Sequence, residues 1–363
     1  MLKRVRFILW RVLPLAALAV AVAACSSAPA AQPTTAPKTE PTKAAATAPQ
    51  PTASQKSEPT KAAPTKTYRF ASSIPASDNP WWITVRKVLE RKAAENKIEL
   101  RVAIANEDAA KQLTDVEDLI QSKPDALILG PVDFVASEAA VERAVAAGIP
   151  VFAIGRETKS EKIIAGVTAP EEELGAGAAA YVGKLLTSWG GGEVVHLRGA
   201  AGASYTNRQE AGFNEEIKKY PAVKVVAHLP GRDNRAEGMK LMEDALQRWP
   251  NVQAVVGCND EVALGALGAI EAAGKPLYPK EPKGIAVTGN TGNPDGIKAI
   301  QEGRLAYLGM KGPSLFAEKT FDIAVDYVIK GKRDIPKKQY TEMVGITREN
   351  VNNPEIVKIW QEQ

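Results

Sequence analysis

From Thr67 onward the chain alternates short β-branched runs with longer Ala-rich segments, and this alternation admits very few folds. The runs at 68–73, 98–104, 125–129, 150–154, 193–198, 223–229, 253–257, 284–288 and 305–309 read as strands. Helices are expected at 80–95, 109–121, 135–147, 171–188, 206–219, 234–248, 260–273 and 293–302. Val85, Val88 and Leu89 share one helical face, as do Ala263, Leu264 and Leu267, the spacing of a helix buried along one stripe. Strands linked by helices run parallel, and the helices then cover both faces of the sheet. Nine strands are many for one such sheet, and the pattern restarts near Gly190-Gly191-Gly192. The expected fold class is therefore α/β, with two Rossmann-like lobes built on parallel sheets.

Open parallel sheets bind ligands beyond the carboxyl ends of their strands. That rule selects Ser73 to Trp82, Gly130-Pro131, Gly155-Arg156, Gly199 to Arg208, Gly231 to Arg235, Cys258-Asn259-Asp260 and Gly289 to Asn293. Most of these segments are rich in Gly, Asn, Asp or Arg.

Ahead of the body lie two segments of different character. Lys3, Arg4 and Arg6 precede an apolar run from Val12 to Ala24, too short to span a bilayer comfortably, so 1–24 reads as a secretory signal. Val22-Ala23-Ala24-Cys25 resembles the lipobox of bacterial lipoproteins, which implies cleavage before Cys25 and acylation of its sulfur. The competing reading is an uncleaved anchor with a chance cysteine. Residues 26–66 hold 11 Ala, 8 Pro and 8 Thr and no aromatic, Val, Ile or Leu. Such a segment cannot offset its ordering entropy, so 25–66 is expected to be a lipidated cysteine and a disordered tether. At roughly 5–6 Å × √n it would hold the body some 35 Å from its anchor.

Charge then narrows the function. The chain carries a net +4, but 1–25 supplies +4 and 26–66 supplies +3, which leaves −3 for 67–363. A mildly acidic body has no broad attraction for phosphate backbones, which argues against nucleic acid as a partner. Two cysteines exclude a disulfide-rich scaffold. His196 and His228 read as structural, with no metal-ligand spacing around them, and Cys258 as a buried small hydrophobe. Gly175 to Ala180 loosely matches a dinucleotide fingerprint but lies inside a helix, where close packing explains it better. With no nucleophile elbow, phosphate loop or paired acid/base motif, an enzyme is not expected, nor a cofactor or metal.

Four stretches give the body a family resemblance. They are Asn79-Pro80-Trp81-Trp82; Gly148-Ile149-Pro150-Val151 leading into Gly155-Arg156; Asn259 through Ala266; and Asn293-Pro294-Asp295-Gly296. In this order and spacing, 67–346 resembles the periplasmic sugar-binding proteins of ABC importers, in the ribose-binding-protein-like group of the type I periplasmic fold. The resemblance implies a three-segment hinge. Lobe one would be 67–168 plus 312–338, and lobe two 169–311 plus 339–363. It also implies a monomer that closes on a sugar or sugar-like ligand and docks on a permease with its ATPase.

The site residues follow from the same resemblance, weighed against their bland roles. Trp81 and Trp82 match aromatic residues that sandwich the sugar. Consecutive helical residues sit about 100° apart, so only one is expected to face the cleft. Asn79 matches a ligand amide and also suits an N-cap. Arg156 matches an arginine that forks onto ligand oxygens. Asn259 matches another amide, Asn290 stands where the family usually has aspartate, and Ser73, Arg208, Gln209, Asp233 and Lys311 complete the candidate set.

The departures carry expectations of their own. Gly155 and Gly130 stand in place of an aspartate and an asparagine, Gln209 in place of an arginine with Arg208 one place earlier, and Lys311 in place of a glutamine. Lost side chains at 130 and 155 predict an enlarged pocket. Arg156 and Lys311 without matched carboxylates predict a larger or acidic ligand, such as a sugar acid or nucleoside-like solute. Alternatively Lys311 pairs with Asp78 or Glu157, and a neutral monosaccharide remains the ligand. Competing functions are a receptor that reports ligand to a signalling partner, an enzyme, and a sugar-responsive repressor whose DNA-binding module would need the place taken by signal and tether.

Overall fold

Residues 66–361 are described by the computed structural model, and in them the alternation becomes two sheets. Cys25, the signal and all of the tether before Lys66 lie outside the described residues. The chain opens with β1 (Arg69–Ile74), α1 (Pro80–Glu95), β2 (Glu99–Ile104), α2 (Ala109–Gln121), β3 (Ala126–Leu129), α3 (Ser137–Ala146), β4 (Val151–Ile154) and β5 (Ala165–Thr168). Then come α4 (Glu171–Ser188), β6 (Gly192–Leu197), α5 (Ser204–Ile217), β7 (Val223–Leu229), α6 (Arg235–Arg248), β8 (Val252–Gly257) and α7 (Asp260–Ala272). They are followed by β9 (Leu277–Tyr278), β10 (Ile285–Thr291), α8 (Pro294–Gln301) and β11 (Tyr307–Met310). The chain continues through α9 (Pro313–Val328), β12 (Lys338–Tyr340), β13 (Val344–Ile346) and α10 (Pro354–Gln361).

The first sheet has the order β12-β5-β4-β3-β1-β2, and the second β13-β11-β10-β8-β6-β7 with β9 beside β10. All ladders are parallel except that of β13 with β11. The two lobes thus repeat one winding, and the chain passes between their sheets after β5, after β11 and after β12. Pairing of β12 with β5 extends to Tyr340, so the third passage falls two residues beyond the expected boundary at 338.

Several elements were not anticipated. The strands β5, β9, β12 and β13 have four residues or fewer, too few to show a period, and their pairing is set by distant chain. Helix α9 was also not expected, although Pro313 suits its first turn and Phe316, Ala317, Thr320, Phe321 and Ala324 follow helical spacing. Those side chains are buried against Phe70, Val85, Leu89 and Phe152, so α9 completes the core of the first lobe. Each fully buried side chain of this size stabilises the fold by about 1.5–3 kcal/mol. In the second lobe α4 and α5 touch through glycine. A Cβ on Gly175 would lie 1.9 Å from the Gln209 carbonyl oxygen, and one on Gly212 1.9 Å from that of Glu172. Helix packing, not a nucleotide turn, explains the small residues from Gly175 onward. Among the described residues no helix is long and apolar enough to cross a membrane.

Candidate functional site

The strand ends of both lobes meet in one cleft. Asn79, Trp81 and Trp82 reach it from the turn after β1 and the start of α1, and Gly155 and Arg156 from the end of β4. Tyr205 of α5, Asp233 beyond β7, Cys258 and Asn259 after β8, and Thr291 at the end of β10 come from the second lobe, with Lys311 at the second passage. Free space between them is about 40 Å³.

Both tryptophans line the cleft, although only one was expected to. Pro80 starts α1, and the Asn79 Oδ1 accepts from the Trp81 N–H at 2.9 Å, which fixes the first turn. The indoles meet edge to face, with centroids 4.6 Å apart, and Trp81 donates through Nε1 to the Lys311 carbonyl at 3.3 Å. Their outer rings occupy the space that the two glycines leave. A Cβ on Gly130 would sit 2.7 Å from Trp82 Cη2, and one on Gly155, where φ is +73°, would sit 2.5 Å from Trp81 Cη2. The expected enlargement of the pocket is therefore corrected, because indole has replaced the missing side chains.

The cations are not unmatched either, which corrects the second expectation. Arg156, 4% exposed, holds Glu107 through both terminal nitrogens at 2.8 and 2.9 Å and Asp233 at 2.9 Å. Burial opposes its charge, but the attraction of Glu107 and Asp233 raises its pKa further. Asp233 also accepts from the Tyr205 hydroxyl and, at 3.1 Å, from the Ala200 N–H. Burial and the adjacent Asp233 push the Tyr205 phenol well above its usual range, so it stays a donor. Lys311 Nζ lies 2.8 and 3.0 Å from the two oxygens of buried Glu171. The partner is neither Asp78 nor Glu157, because Glu171 opens α4 directly beneath the passage.

The remaining candidates do not line the cleft. Ser73 turns inward and accepts from Gln112 Nε2 at 3.3 Å. Arg208 is engaged by Glu172 and Glu157, and Gln209 donates to Glu171 at 2.7 Å. Asn290 is buried one residue before Thr291, and strand alternation puts it on the other face of the sheet. Asn259 does line the cleft, but its Oδ1 caps α7 at Val262 N, which leaves its amide nitrogen for other partners. Tyr205 lay in a segment selected by the strand-end rule, and a search there for an aromatic would have found it. Glu107 and Glu171 gave no such signal, since an acid near a helix start ordinarily reads as a cap.

Two further groups bear on the chemistry. Cys258 is buried, and burial followed by Asp233 pushes its thiol well above the usual range. His196 and His228, read as structural from the sequence, are register partners on β6 and β7 with Glu210 beside them. Burial first, then His228 and Arg198, push His196 down to about 3, which keeps it neutral.

Comparison with known proteins agrees with this geometry. Residues 70–333 match the family model described as a periplasmic binding protein domain. The chain is 33% identical over 268 residues to the ribose import binding protein RbsB of Bacillus subtilis (strain 168), covering 74% of this chain and 84% of that protein. Among solved structures, it resembles the periplasmic binding protein of the arabinose ABC transporter from Shewanella sp. ANA-3, bound to L-arabinofuranose. That match has a TM-score of 0.73 at 28% identity and covers 81% of this chain and 96% of the other. A solute binding protein from Bacillus halodurans C-125 with bound myo-inositol is similar at 26% identity with a TM-score of 0.73, covering 80% of this chain and 98% of the other.

Proposed function

The chain belongs to the periplasmic binding protein family, in its ribose-binding-like type I branch, and from that premise we propose that it captures a neutral sugar or polyol between its lobes for an ABC importer. Its relatives are binding proteins of transport systems rather than enzymes, and the family works outside the cytoplasm. We take the lobes as 67–168 plus 312–338 and 169–311 plus 339–363, with the passage at β12 adjusted as above. The Val22-to-Cys25 signature supports a lipid anchor, and the body is read as a monomer that reaches its permease from a tether.

One observation carries the neutral ligand. Two cations, Arg156 and Lys311, face three carboxylates, those of Glu107, Asp233 and Glu171. An anionic ligand would bring a fourth acid to cations already engaged, and desolvated like charges repel strongly. A sugar instead offers apolar C–H faces to Trp81, Trp82 and Tyr205, and hydroxyls that both donate and accept. Calorimetry with the full chain against ribose, arabinose, xylitol, myo-inositol, hexoses and uronic acids tests this. A neutral pentose or polyol is expected to bind and the uronic acids are not. Tight binding of a uronic acid, with neutral sugars inert, would overturn it.

A further inference from the structure

We propose that His196, His228 and Glu210 form a binding site for a borderline divalent transition-metal ion such as Zn²⁺ or Ni²⁺ on the second lobe, apart from the sugar cleft. The fold itself sets the spacing. β6 and β7 are adjacent parallel strands, and His196 pairs in register with His228. Neighbouring strands lie about 4.8 Å apart, so the two imidazoles stand side by side on one face. Helix α5 covers that face and brings Glu210 over both, so that one donor atom from each residue lies within 4.8 Å of the others.

Two of the separations match those of atoms sharing one ion. For metal–nitrogen bonds of ~2.0–2.1 Å, two nitrogens on the same ion are ~2.9 Å apart at a right angle and ~3.4 Å apart at the tetrahedral angle. The two Nδ1 atoms lie 3.1 Å apart, and His228 Nδ1 lies 3.4 Å from Glu210 Oε1. Without an ion, one imidazole must present a proton to the other. With one, both Nδ1 lone pairs and the carboxylate oxygen would be given to the same charge.

The surroundings orient the ligands. His196 is buried and stacks on Phe213 with centroids 4.6 Å apart and planes at 25°, so its ring is fixed. Arg198 holds Glu210 through Oε2 at 2.8 Å, leaving Oε1 as the coordinating oxygen. Bonds of this kind to a ligand's far atom are a regular feature of metal sites. His228 and Glu210 are partly exposed, at 32% and 22%, which gives an ion a way in and leaves room for water to complete its shell. Two imidazoles and one carboxylate suit zinc, nickel and copper better than calcium or magnesium.

The test uses the full, untagged chain stripped with EDTA and then titrated with Zn²⁺ or Ni²⁺ alone, by calorimetry and thermal melting. One equivalent is expected to bind and to raise the melting temperature by mass action. His228→Ala removes an exposed ring, and Glu210→Gln keeps the side-chain shape, so both variants should fold. Each is expected to weaken binding at least tenfold, while Cys25→Ser, which removes the N-terminal thiol, leaves it unchanged. Absence of saturable binding, or affinity held within twofold in His228→Ala, overturns the proposal. Loss in His228→Ala with Glu210→Gln unaffected removes the carboxylate from the ligand set and equally overturns the three-ligand site.

Discussion

Gly155→Ala should be among the most damaging single-methyl additions in the cleft, and its cost should be relieved by shortening Trp81. The backbone at Gly155 has φ +73°, a conformation that costs a residue with a Cβ about 1–2 kcal/mol. The new Cβ would also lie 2.5 Å from Trp81 Cη2 and 3.0 Å from Trp81 Cζ3. Overpacking of that kind costs typically ~1–3 kcal/mol, for a total of roughly 2–5 kcal/mol. Trp81→Phe removes both clashing carbons and the Nε1 bond to Lys311, and by itself should cost about 1 kcal/mol for the bond plus the lost packing. In the double variant the clash with Trp81 disappears, while the 3.3 Å approach to Trp82 Cη2 and the backbone part remain. Urea denaturation of the four proteins should therefore show a favourable coupling of ~1–3 kcal/mol. Additivity within ~0.5 kcal/mol would mean that the indole does not fill the place of the missing side chain.

Arg156→Gln should destabilise the protein by about 3–5 kcal/mol, because it strands Glu107 and Asp233 without their cation; a loss below ~1 kcal/mol in urea denaturation would show that both acids reach water. Asp260 is buried, with Oδ1 unpartnered and Oδ2 accepting from Asn293 N at 2.7 Å, and burial pushes its carboxyl up to about 7. The native state then holds a proton that the unfolded chain has released, so this contribution is complete below about pH 4 and is lost as pH rises through about 7. In urea denaturation at a series of pH values Asp260→Asn should flatten that fall, and an unchanged slope would refute the assignment. Cys25→Ser should move the protein from the membrane to the soluble fraction of cells, and retention on the membrane would refute the lipid anchor.

Much of the architecture was legible because βα units write their period locally. The boundaries of α1 and α2 follow directly from caps and apolar spacing, as with Asn79 and Pro80 ahead of α1 and Asp108 ahead of α2. β5 (AGVT) and β12 (KQY) lack the apolar run that marks the equally short β3 and β4, and distant chain supplies their ladder. Of the segments that the strand-end rule selected, Asn79, Arg156, Asp233 and Asn259 come to line the cleft. What failed was the inference from each substituted position taken singly. Gly130 and Gly155 suggested a void because the rings that fill it lie about fifty and seventy residues earlier in the chain. Lys311 looked unmatched because its acid, Glu171, is 140 residues away. A side chain's partner across the hinge is a property of the closed fold, and no spacing rule reports it.

Those partners also define what a ligand must do. Arg156 of the first lobe bonds Asp233 of the second, and Asn79 Nδ2 donates to the Asp233 carbonyl at 3.0 Å. Trp81 reaches the Lys311 carbonyl at the passage between the lobes, and the Glu157 N–H donates to Ser204 Oγ at 2.8 Å. Opening the cleft breaks these bonds and gives their groups to water, a near-even exchange worth about 0.5–1.5 kcal/mol for each neutral pair. A ligand that only wedges between Arg156 and Asp233 would break their ion pair, leaving Arg156 with Glu107 alone and Asp233 with Tyr205 and the Ala200 N–H. A vicinal diol can accept from the guanidinium with one oxygen and donate to the carboxylate with the other. It restores the bridge while its ring covers the indoles. Closure around such a ligand is favoured because it contacts both lobes at once, and a carboxylate in the same place would satisfy Arg156 at the expense of Asp233.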